Sequence, residues 1–145
     1  MSLPGLVGIG VDAVDVARFR DILARRPGFA ARYFSESEQA DCTSSADPAA
    51  SLAARFAAKE AAVKALRPHG ARPEWRSIEV RRMDGGWCEL RLTGLAADLA
   101  AEAGISELSL SITHEPMVAA ACVVGVSRSD LPARSRTSSP ERKGL

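Results

Sequence analysis

The stretch that decides the fold reads Leu52-Ala53-Ala54-Arg55-Phe56-Ala57-Ala58-Lys59-Glu60-Ala61-Ala62-Val63-Lys64-Ala65-Leu66. At about 100° per residue, its larger apolar side chains form one helical stripe, made of Leu52, Phe56, Val63 and Leu66. Lys59 falls inside that stripe, with Arg55 and Glu60 at its two edges. In the ordinary interpretation, the lysine stem lies along apolar surface with its ammonium in water, and Glu60 pairs with Lys64. In the alternative, the rest of the chain supplies partners for these charges.

The composition describes a globular protein with nearly balanced charge. The 145 residues carry a net charge of +1, and 46% of them are hydrophobic. This length predicts one domain, and the charge gives no support to nucleic-acid binding. No run is apolar enough to span a bilayer, and residues 1–6 lack the features of a signal peptide, so we expect no membrane partner and a cytoplasmic location. Three widely spaced cysteines, Cys42, Cys88 and Cys122, predict reduced thiols.

The first half of the chain alternates a strand with helices. The apolar run over residues 6–14 predicts a buried strand, in which Gly8 and Gly10 let another backbone or a ligand approach closely. Asp15 can then cap a helix that runs to about Arg26.

Two further helices begin at capping residues. Ser35 and Glu38 have the spacing of a capping box for a short helix. Asp47-Pro48 places an N-cap before a proline at the first helical position and opens the long helix that ends at Leu66. Nine of the nineteen residues over positions 48–66 are alanine, which predicts a helix packed closely against its neighbours.

The second half predicts strands. Residues 77–83 alternate, residues 84–86 form an Asp-Gly-Gly turn and residues 87–92 return, which predicts a hairpin. A short helix follows over residues 95–103. Another apolar strand follows over residues 117–126.

The strand between that helix and the last strand has two different faces. Its apolar residues, Leu108, Leu110 and Ile112, alternate with the hydroxyl residues Ser109, Ser111 and Thr113, and His114 follows. We therefore predict an α+β fold over residues 1–126, with an antiparallel sheet packed against the long alanine-rich helix. Residues 127–145 are rich in serine, proline, arginine and lysine and predict a disordered basic tail.

Two carboxylates are candidates for a shared Mg²⁺ site. Asp12 lies near the end of the first strand, and Glu60 lies on the alanine-rich helix. Magnesium often takes only one or two carboxylates and completes its octahedron with water and phosphate oxygens. Spacing alone leaves open the alternative that both are surface groups or caps.

Three motifs together resemble one enzyme family. They are Gly8-Ile9-Gly10-Val11-Asp12, then Arg55-Phe56-Ala57-Ala58-Lys59-Glu60-Ala61 with Lys64, then Ser111-Ile112-Thr113-His114-Glu115. Over residues 5–125, their order resembles that of the holo-acyl-carrier-protein synthases, the small 4′-phosphopantetheinyl transferases. Three motifs in the right order are far more specific than any one of them.

The resemblance implies a reaction, a fold and a catalytic group. Enzymes of this family move 4′-phosphopantetheine from coenzyme A to a serine of an apo acyl carrier protein, release adenosine 3′,5′-bisphosphate and support fatty acid or polyketide biosynthesis. The implied architecture is the 4′-phosphopantetheinyl transferase-like fold. Asp12 and Glu60 match the family's Mg²⁺ ligands, and Lys64 matches its lysine beside the phosphates. The general base stays open between Asp12, Glu60 and a Mg²⁺-bound water.

The resemblance also implies a coenzyme A pocket. With Lys64, the positions that match the family's coenzyme A-binding residues are Arg55, Ser111, Thr113 and His114. For His114, a histidine hydrogen-bonded at a strand end remains an alternative.

Two partners follow from the same resemblance. Arg18 and Arg25 match arginines with which the family docks its acidic carrier protein, whereas without the family they would be an ordinary solvated helix face. Family members of this size form trimers with active sites between subunits, so we expect a homotrimer.

One segment departs from the family pattern. The family continues after its lysine helix with a glycine-threonine-glycine turn, whereas this chain continues with Arg67-Pro68-His69-Gly70-Ala71-Arg72-Pro73. Glycine amides can approach phosphate closely, and proline has no amide hydrogen to donate. We expect either a displaced loop or cations that replace those contacts.

Two rival functions remain at this point. One is a coenzyme A-binding module without turnover. The other is a structural, trimer-forming domain in which Lys59, Glu60 and Lys64 form salt bridges between subunits.

Overall fold

A computed structural model describes residues 5–128, which form an α+β domain. Strand β1 spans Leu6–Asp15, and helices α1 to α4 span Val16–Arg25, Phe29–Tyr33, Glu36–Thr43 and Pro48–Leu66. A 3₁₀ turn at Trp75–Ser77 leads to β2 (Ile78–Arg82), β3 (Cys88–Leu92), α5 (Gly94–Glu102), β4 (Glu107–His114) and β5 (Val118–Val126). In this part of the chain, no helix has the length and apolar character needed to cross a membrane.

The strands pair antiparallel, as predicted, but within the described residues they form two sheets and not one. β1, β5 and β4 lie side by side in that order, so the last strand is the central one. β2 and β3 form a separate hairpin. The short helix α2 was not predicted, because it begins at Gly28 in the left-handed conformation without a side-chain cap.

β1 packs directly on the backbone of α4. A Cβ atom on Gly10 would overlap the carbonyl oxygen of Ala61, and one on Gly8 would overlap that of Ala65. The predicted close approach is confirmed, and the approaching group is another backbone. Glycine on the strand is therefore needed for this contact, because any side chain there would overlap the helix backbone.

α4 is buried on almost every side, so its burial extends well beyond the predicted stripe. All nine of its alanines are buried. Leu52 and Phe56 contact the aromatic cluster around α1, whereas Val63 packs against the sheets and Leu66 against α5. The four stripe residues contact different clusters because they are spread along most of a helix that has neighbours on several sides.

Lys59 is fully buried, so the interpretation that its ammonium reaches water is wrong. The Lys59 and Glu38 side chains are both 0% exposed, with Lys59 Nζ 2.8 Å from Glu38 Oε2. Nζ also donates to the carbonyl oxygens of Trp75 and Ile78, at 3.0 and 2.6 Å. Burial lowers the pKa of Lys59, and the charge of Glu38 opposes that effect. Three protein acceptors therefore replace water around this ammonium.

The predicted helix starts are confirmed at all three capping residues. Asp15 Oδ1 accepts from the backbone N–H of Arg18 at 2.7 Å, and Asp47 Oδ1 accepts from that of Ala50 at 3.1 Å. Ser35 and Glu38 form a complete capping box. Glu38 therefore both caps α3 and pairs with Lys59, which ties α3 to α4.

The face of the three-stranded sheet that points away from α4 is open. On β1, Ile9 and Val11 are 53% and 64% exposed. Val11 pairs across the ladder with Cys122, and Cys122 pairs with Ser111. An exposed apolar stripe therefore lies beside the predicted hydroxyl face.

The three cysteines are free thiols, as predicted. Cys42 is buried, and burial raises the pKa of its thiol to about 11. Cys88 and Cys122 are half-buried. No chemistry is assigned to any of them.

The domain continues just beyond the predicted boundary at residue 126. The backbone N–H of Ser127 donates to the carbonyl oxygen of Gly5 at 2.8 Å. Arg128 is anchored through Ser106 and through Glu107, whose Oε2 lies 2.7 Å from Arg128 Nη2. The rest of the predicted tail, residues 129–145, lies outside the described residues.

Candidate active site

Three predicted catalytic residues meet where β1 crosses α4. Because side chains alternate along a strand, Asp12 lies on the same helix-facing side of β1 as the two glycines. Lys64 Nζ lies 3.0 Å from Asp12 Oδ1 and donates to the carbonyl oxygen of Val11 at 2.8 Å. Glu60 lies one turn before Lys64 and is half-buried. The ion pair of Lys64 is therefore with Asp12, and the ordinary Glu60–Lys64 pair is replaced.

The electrostatics of this cluster centre on Glu60. Burial raises the pKa of Glu60, and the nearby charge of Asp12 raises it further. The charges of Arg72 and Lys64 act in the opposite direction. Two carboxylates this close, one of them half-buried, form a site that favours a cation.

The donor set of this cluster fits Mg²⁺. It offers carboxylate oxygens only, and the Asp12 side chain is 20% exposed, which leaves room for water and a phosphorylated ligand. Within residues 5–128, no three His, Cys, Asp or Glu side chains gather into a fuller metal site. Asp12 and Glu60 would therefore share an ion with water and phosphate oxygens and would not enclose it.

A second group of predicted residues lines a cavity of about 370 Å³ beside β4. Arg55, Ser111 and His114 are on its wall. Thr113 is exposed on the same strand but does not line this cavity. The cavity therefore brings together three of the predicted coenzyme A-binding residues.

Arg55 has unused hydrogen-bonding capacity in this cavity. The residue is 6% exposed, and its Nη2 lies 3.5 Å from Asp41 Oδ2. Its Nε atom is buried without a hydrogen-bond partner. A buried donor without an acceptor is costly, so an anionic ligand in the cavity would relieve that cost.

The two groups lie on opposite edges of the three-stranded sheet. Asp12 is on β1 and Ser111 is on β4, with β5 between them, so their strands are about 10 Å apart. Asp12 faces α4, whereas Ser111 is on the open face. Neither Asp12 nor Glu60 nor Lys64 lines the cavity. A single chain therefore does not bring all the predicted site residues together.

The altered loop after α4 brings a cation toward Glu60. Arg67 ends the helix with φ at 47°, and Gly70 turns the chain with φ at 106°. Arg72 is exposed and lies near enough to Glu60 for its charge to lower the pKa of that carboxyl. This favours the expectation that cations replace the missing glycine amides.

Arg18 and Arg25 are both exposed on α1, as the carrier prediction requires. The Arg25 guanidinium is already paired, with Nε 2.9 Å from Asp21 Oδ1. The two arginines lie seven residues apart, which places them on the same side of the helix. Their role in carrier binding stays a prediction.

Among the cavity residues that sequence reasoning missed are Arg82 and Trp87. Both lie at the tip of the β2–β3 hairpin, which the sequence indicated only as a turn. The available signal was a tryptophan directly after Gly85-Gly86, where a large apolar side chain is expected to be exposed.

The fold and the two-carboxylate cluster define a class of protein. Comparison of the chain with known protein families identifies that class. Residues 8–122 match the family model of the 4′-phosphopantetheinyl transferase superfamily, and the chain belongs to that superfamily. Within it, the predicted resemblance to the holo-acyl-carrier-protein synthases is confirmed by relatives of that name.

Two such relatives and two solved structures illustrate the likeness. The chain is 47% identical over 124 residues to a holo-[acyl-carrier-protein] synthase of Anaeromyxobacter sp. (strain K), covering 82% of this chain and 94% of the relative. It is 49% identical over 121 residues to the synthase of Frankia casuarinae, covering 82% and 96%. The synthase structure from Neisseria meningitidis has a TM-score of 0.72 at 33% identity, covering 83% of this chain and 98% of that one. The Helicobacter pylori synthase in complex with coenzyme A has a TM-score of 0.70 at 30% identity, covering 81% and 98%.

Proposed function

We propose that this chain is a holo-acyl-carrier-protein synthase, which transfers 4′-phosphopantetheine from coenzyme A to a serine of an apo acyl carrier protein. The serine Oγ forms a bond to the β-phosphorus of coenzyme A. The bond from that phosphorus to the bridging oxygen breaks, and adenosine 3′,5′-bisphosphate leaves. The serine proton passes to Asp12, to Glu60 or to a water molecule.

The observation that carries this proposal is the meeting of Asp12, Glu60 and Lys64 where β1 crosses α4. A diphosphate brings several negative charges, and two carboxylates alone would repel it. Lys64 supplies one positive charge on the protein, 3.0 Å from Asp12 Oδ1. An ammonium in this position can stabilise the charge that develops on the leaving bisphosphate.

Mg²⁺ completes the proposal at the same cluster. Asp12 and Glu60 would hold the ion, which would neutralise the charge of the diphosphate and polarise it for attack. The backbone of β1 and the packed helix α4 keep both carboxylates in place, because Gly10, two residues before Asp12, lies against the backbone of Ala61, the residue after Glu60.

The cavity beside β4 would hold the nucleotide end of coenzyme A. Arg55 offers an unpaired buried donor there, and Ser111 and His114 add polar groups. The Helicobacter pylori relative binds coenzyme A, which supports the assignment of that ligand to this fold.

We propose a homotrimer with each active site between two subunits. The carboxylate cluster and the cavity lie on opposite edges of one sheet, so a second copy can place its cavity beside the cluster of the first. The open face with Ile9 and Val11 offers the apolar surface for such contact. The rival in which Lys59, Glu60 and Lys64 form salt bridges between subunits is weakened, because both lysines are already paired within the chain.

The carrier would dock on α1 through Arg18 and Arg25. Exposed arginines mainly raise the rate at which an acidic carrier associates. This electrostatic attraction weakens as the salt concentration rises. We expect Arg18→Glu to raise the KM for the carrier several-fold and to leave the KM for coenzyme A unchanged. Equal changes in both constants would refute carrier docking at this position.

The proposed reaction is measured by intact mass. The protein is incubated with coenzyme A, Mg²⁺ and an apo acyl carrier protein, and a carrier mass increase of one phosphopantetheine is expected. A chelator should abolish the increase, and Mg²⁺ should restore it. Coenzyme A binding with no addition to any of several carriers would establish the rival binding module.

The cellular setting belongs to the same proposal. Acyl carrier proteins serve fatty acid and polyketide synthesis. The enzyme needs coenzyme A and the carrier protein in the same compartment, so we expect it in the cytoplasm. Detection of the holo carrier only outside the cytoplasmic fraction would contradict this location.

A further inference from the structure

The β2–β3 hairpin carries an exposed tryptophan into the cavity that holds Arg55 and His114. Trp87 is 57% exposed and lines this cavity together with Arg82. An indole of this size is rarely left in water on an isolated hairpin tip, because its burial is worth more than that of most side chains. The question is therefore what its free surface contacts.

The indole of Trp87 is held in one orientation. Its Nε1 donates to Glu89 Oε1 at 3.0 Å. Its six-membered ring lies directly over Gly85, where a Cβ atom would overlap the ring. A hydrogen bond at one end and backbone contact at the other limit ring motion, so the ring is preorganised for a planar partner.

The rest of the cavity has the chemistry of an anion site. Arg82, Arg55 and His114 are on its wall, and Arg55 Nε is buried without a hydrogen-bond partner. Asp41 is the acidic residue on this wall and is already paired with Arg55. A ligand that suits this cavity therefore combines a flat ring with negative charge.

We propose that Trp87 is the stacking platform for the purine base of the donor nucleotide. This inference rests on the proposed function, in which coenzyme A is the donor. The adenine ring lies on the exposed indole surface, while the adjoining phosphate faces Arg55 and Arg82. Trp87 is thus a binding residue for the donor and takes no part in the transfer of the phosphoryl group.

Stacking makes a specific kinetic prediction. Loss of one aromatic platform weakens binding of a base about tenfold or more. Trp87→Ala should therefore raise the KM for coenzyme A about tenfold and leave kcat within about twofold. Trp87→Phe keeps an aromatic face and should restore most of the affinity. Leu95→Ala, which removes an exposed apolar side chain on α5 outside this cavity, serves as the matched control and should change neither constant.

Fluorescence tests the contact without requiring turnover. The chain contains two tryptophans, and Trp75 lies in the aromatic cluster with Tyr33 and Phe56. Coenzyme A and adenosine 3′,5′-bisphosphate should both quench the emission, whereas 4′-phosphopantetheine, which has no base, should not. In Trp87→Phe the quenching should disappear.

The outcomes separate this inference from the proposed function. Transfer with a normal KM in Trp87→Ala would overturn the platform and leave the enzyme assignment intact. Base-dependent quenching in a protein that modifies no carrier would support the platform and refute the transferase. A fall in kcat with unchanged KM would assign Trp87 to the structure of the hairpin and overturn the proposal.

Discussion

Lys64 places its ammonium 3.0 Å from Asp12, a residue 52 positions earlier, although Glu60 lies one turn before it on the same helix. This ion pair joins the edge strand β1 to the last turn of α4. It also leaves Glu60 free to act on a ligand together with Asp12. The proposed catalytic cluster is therefore a tertiary contact and is not a local helical pair.

Replacing Lys64 with alanine should impair transfer far more than it impairs folding. The Lys64 side chain is 53% exposed, and exposed ion pairs contribute about 1 kcal/mol or less to stability. The loss of one charge-stabilising group in an active site costs roughly 10²- to 10³-fold in rate. Transfer rates from intact mass and urea unfolding measure the two effects. Arg81→Ala removes a similarly exposed cation outside the cluster and should leave the transfer rate unchanged.

Glu60→Gln should abolish transfer and stabilise the metal-free fold at pH 8. Burial and Asp12 raise the folded-state pKa of Glu60, so ionisation of this carboxyl costs the folded chain free energy above that pKa. Glutamine resembles the protonated form and removes the cost. The gain in melting temperature should therefore shrink as the pH falls through the raised pKa. Melting curves in chelator check this, with the exposed Glu102→Gln as control; a gain that grows toward low pH would contradict it.

Lys59→Met should destabilise the fold by about 3–5 kcal/mol, because it leaves the fully buried Glu38 carboxylate without its partner. The double variant Glu38→Gln with Lys59→Met should recover part of that loss, since no buried charge remains. Urea unfolding measures both. Arg20→Ala breaks an exposed pair with Asp47 and should cost about 1 kcal/mol or less. If the buried and the exposed variants lower the free energy of unfolding equally, the buried Lys59–Glu38 pair contributes no more to stability than an exposed pair.

Val11→Arg should convert the proposed trimer into a monomer and abolish transfer. Val11 is 64% exposed on the open sheet face, so a monomer can carry arginine there without loss of its core. Light scattering gives the mass, and urea unfolding at low concentration shows whether the fold persists. Leu95→Arg adds the same charge on α5 and should leave the mass unchanged. A Val11→Arg protein that keeps both trimer mass and activity would place the subunit contact elsewhere.

Local signals in the sequence predicted most elements and their borders. Capping residues specified three helix starts, and Ser35 with Glu38 formed the predicted capping box. The Asp-Gly-Gly turn at residues 84–86 marked the hairpin. These predictions succeeded because caps and turns depend on residues three or four positions apart, a distance visible in the sequence.

The prediction for α4 failed where it assumed one buried face. Leu52 and Leu66 lie in different apolar clusters, and the alanines between them are buried against both the sheet and the helices. A periodic stripe describes a helix at a surface, whereas this helix is the centre of the domain. The sequence indicated the right segment and left two environments open for its lysine, and the structure shows the one in which the rest of the chain supplies partners.

By itself, the sequence determined the α+β class, the capped alanine helix and, through three ordered motifs, the family with its candidate residues. Only the tertiary structure decided the partners: Lys59 with Glu38, Lys64 with Asp12, and Arg55 with Asp41 on the wall of a separate cavity. The reason is physical. Local hydrogen bonds are specified by neighbouring residues, whereas the contact of one charge with another depends on how separate elements pack, here by a glycine strand lying against an alanine helix.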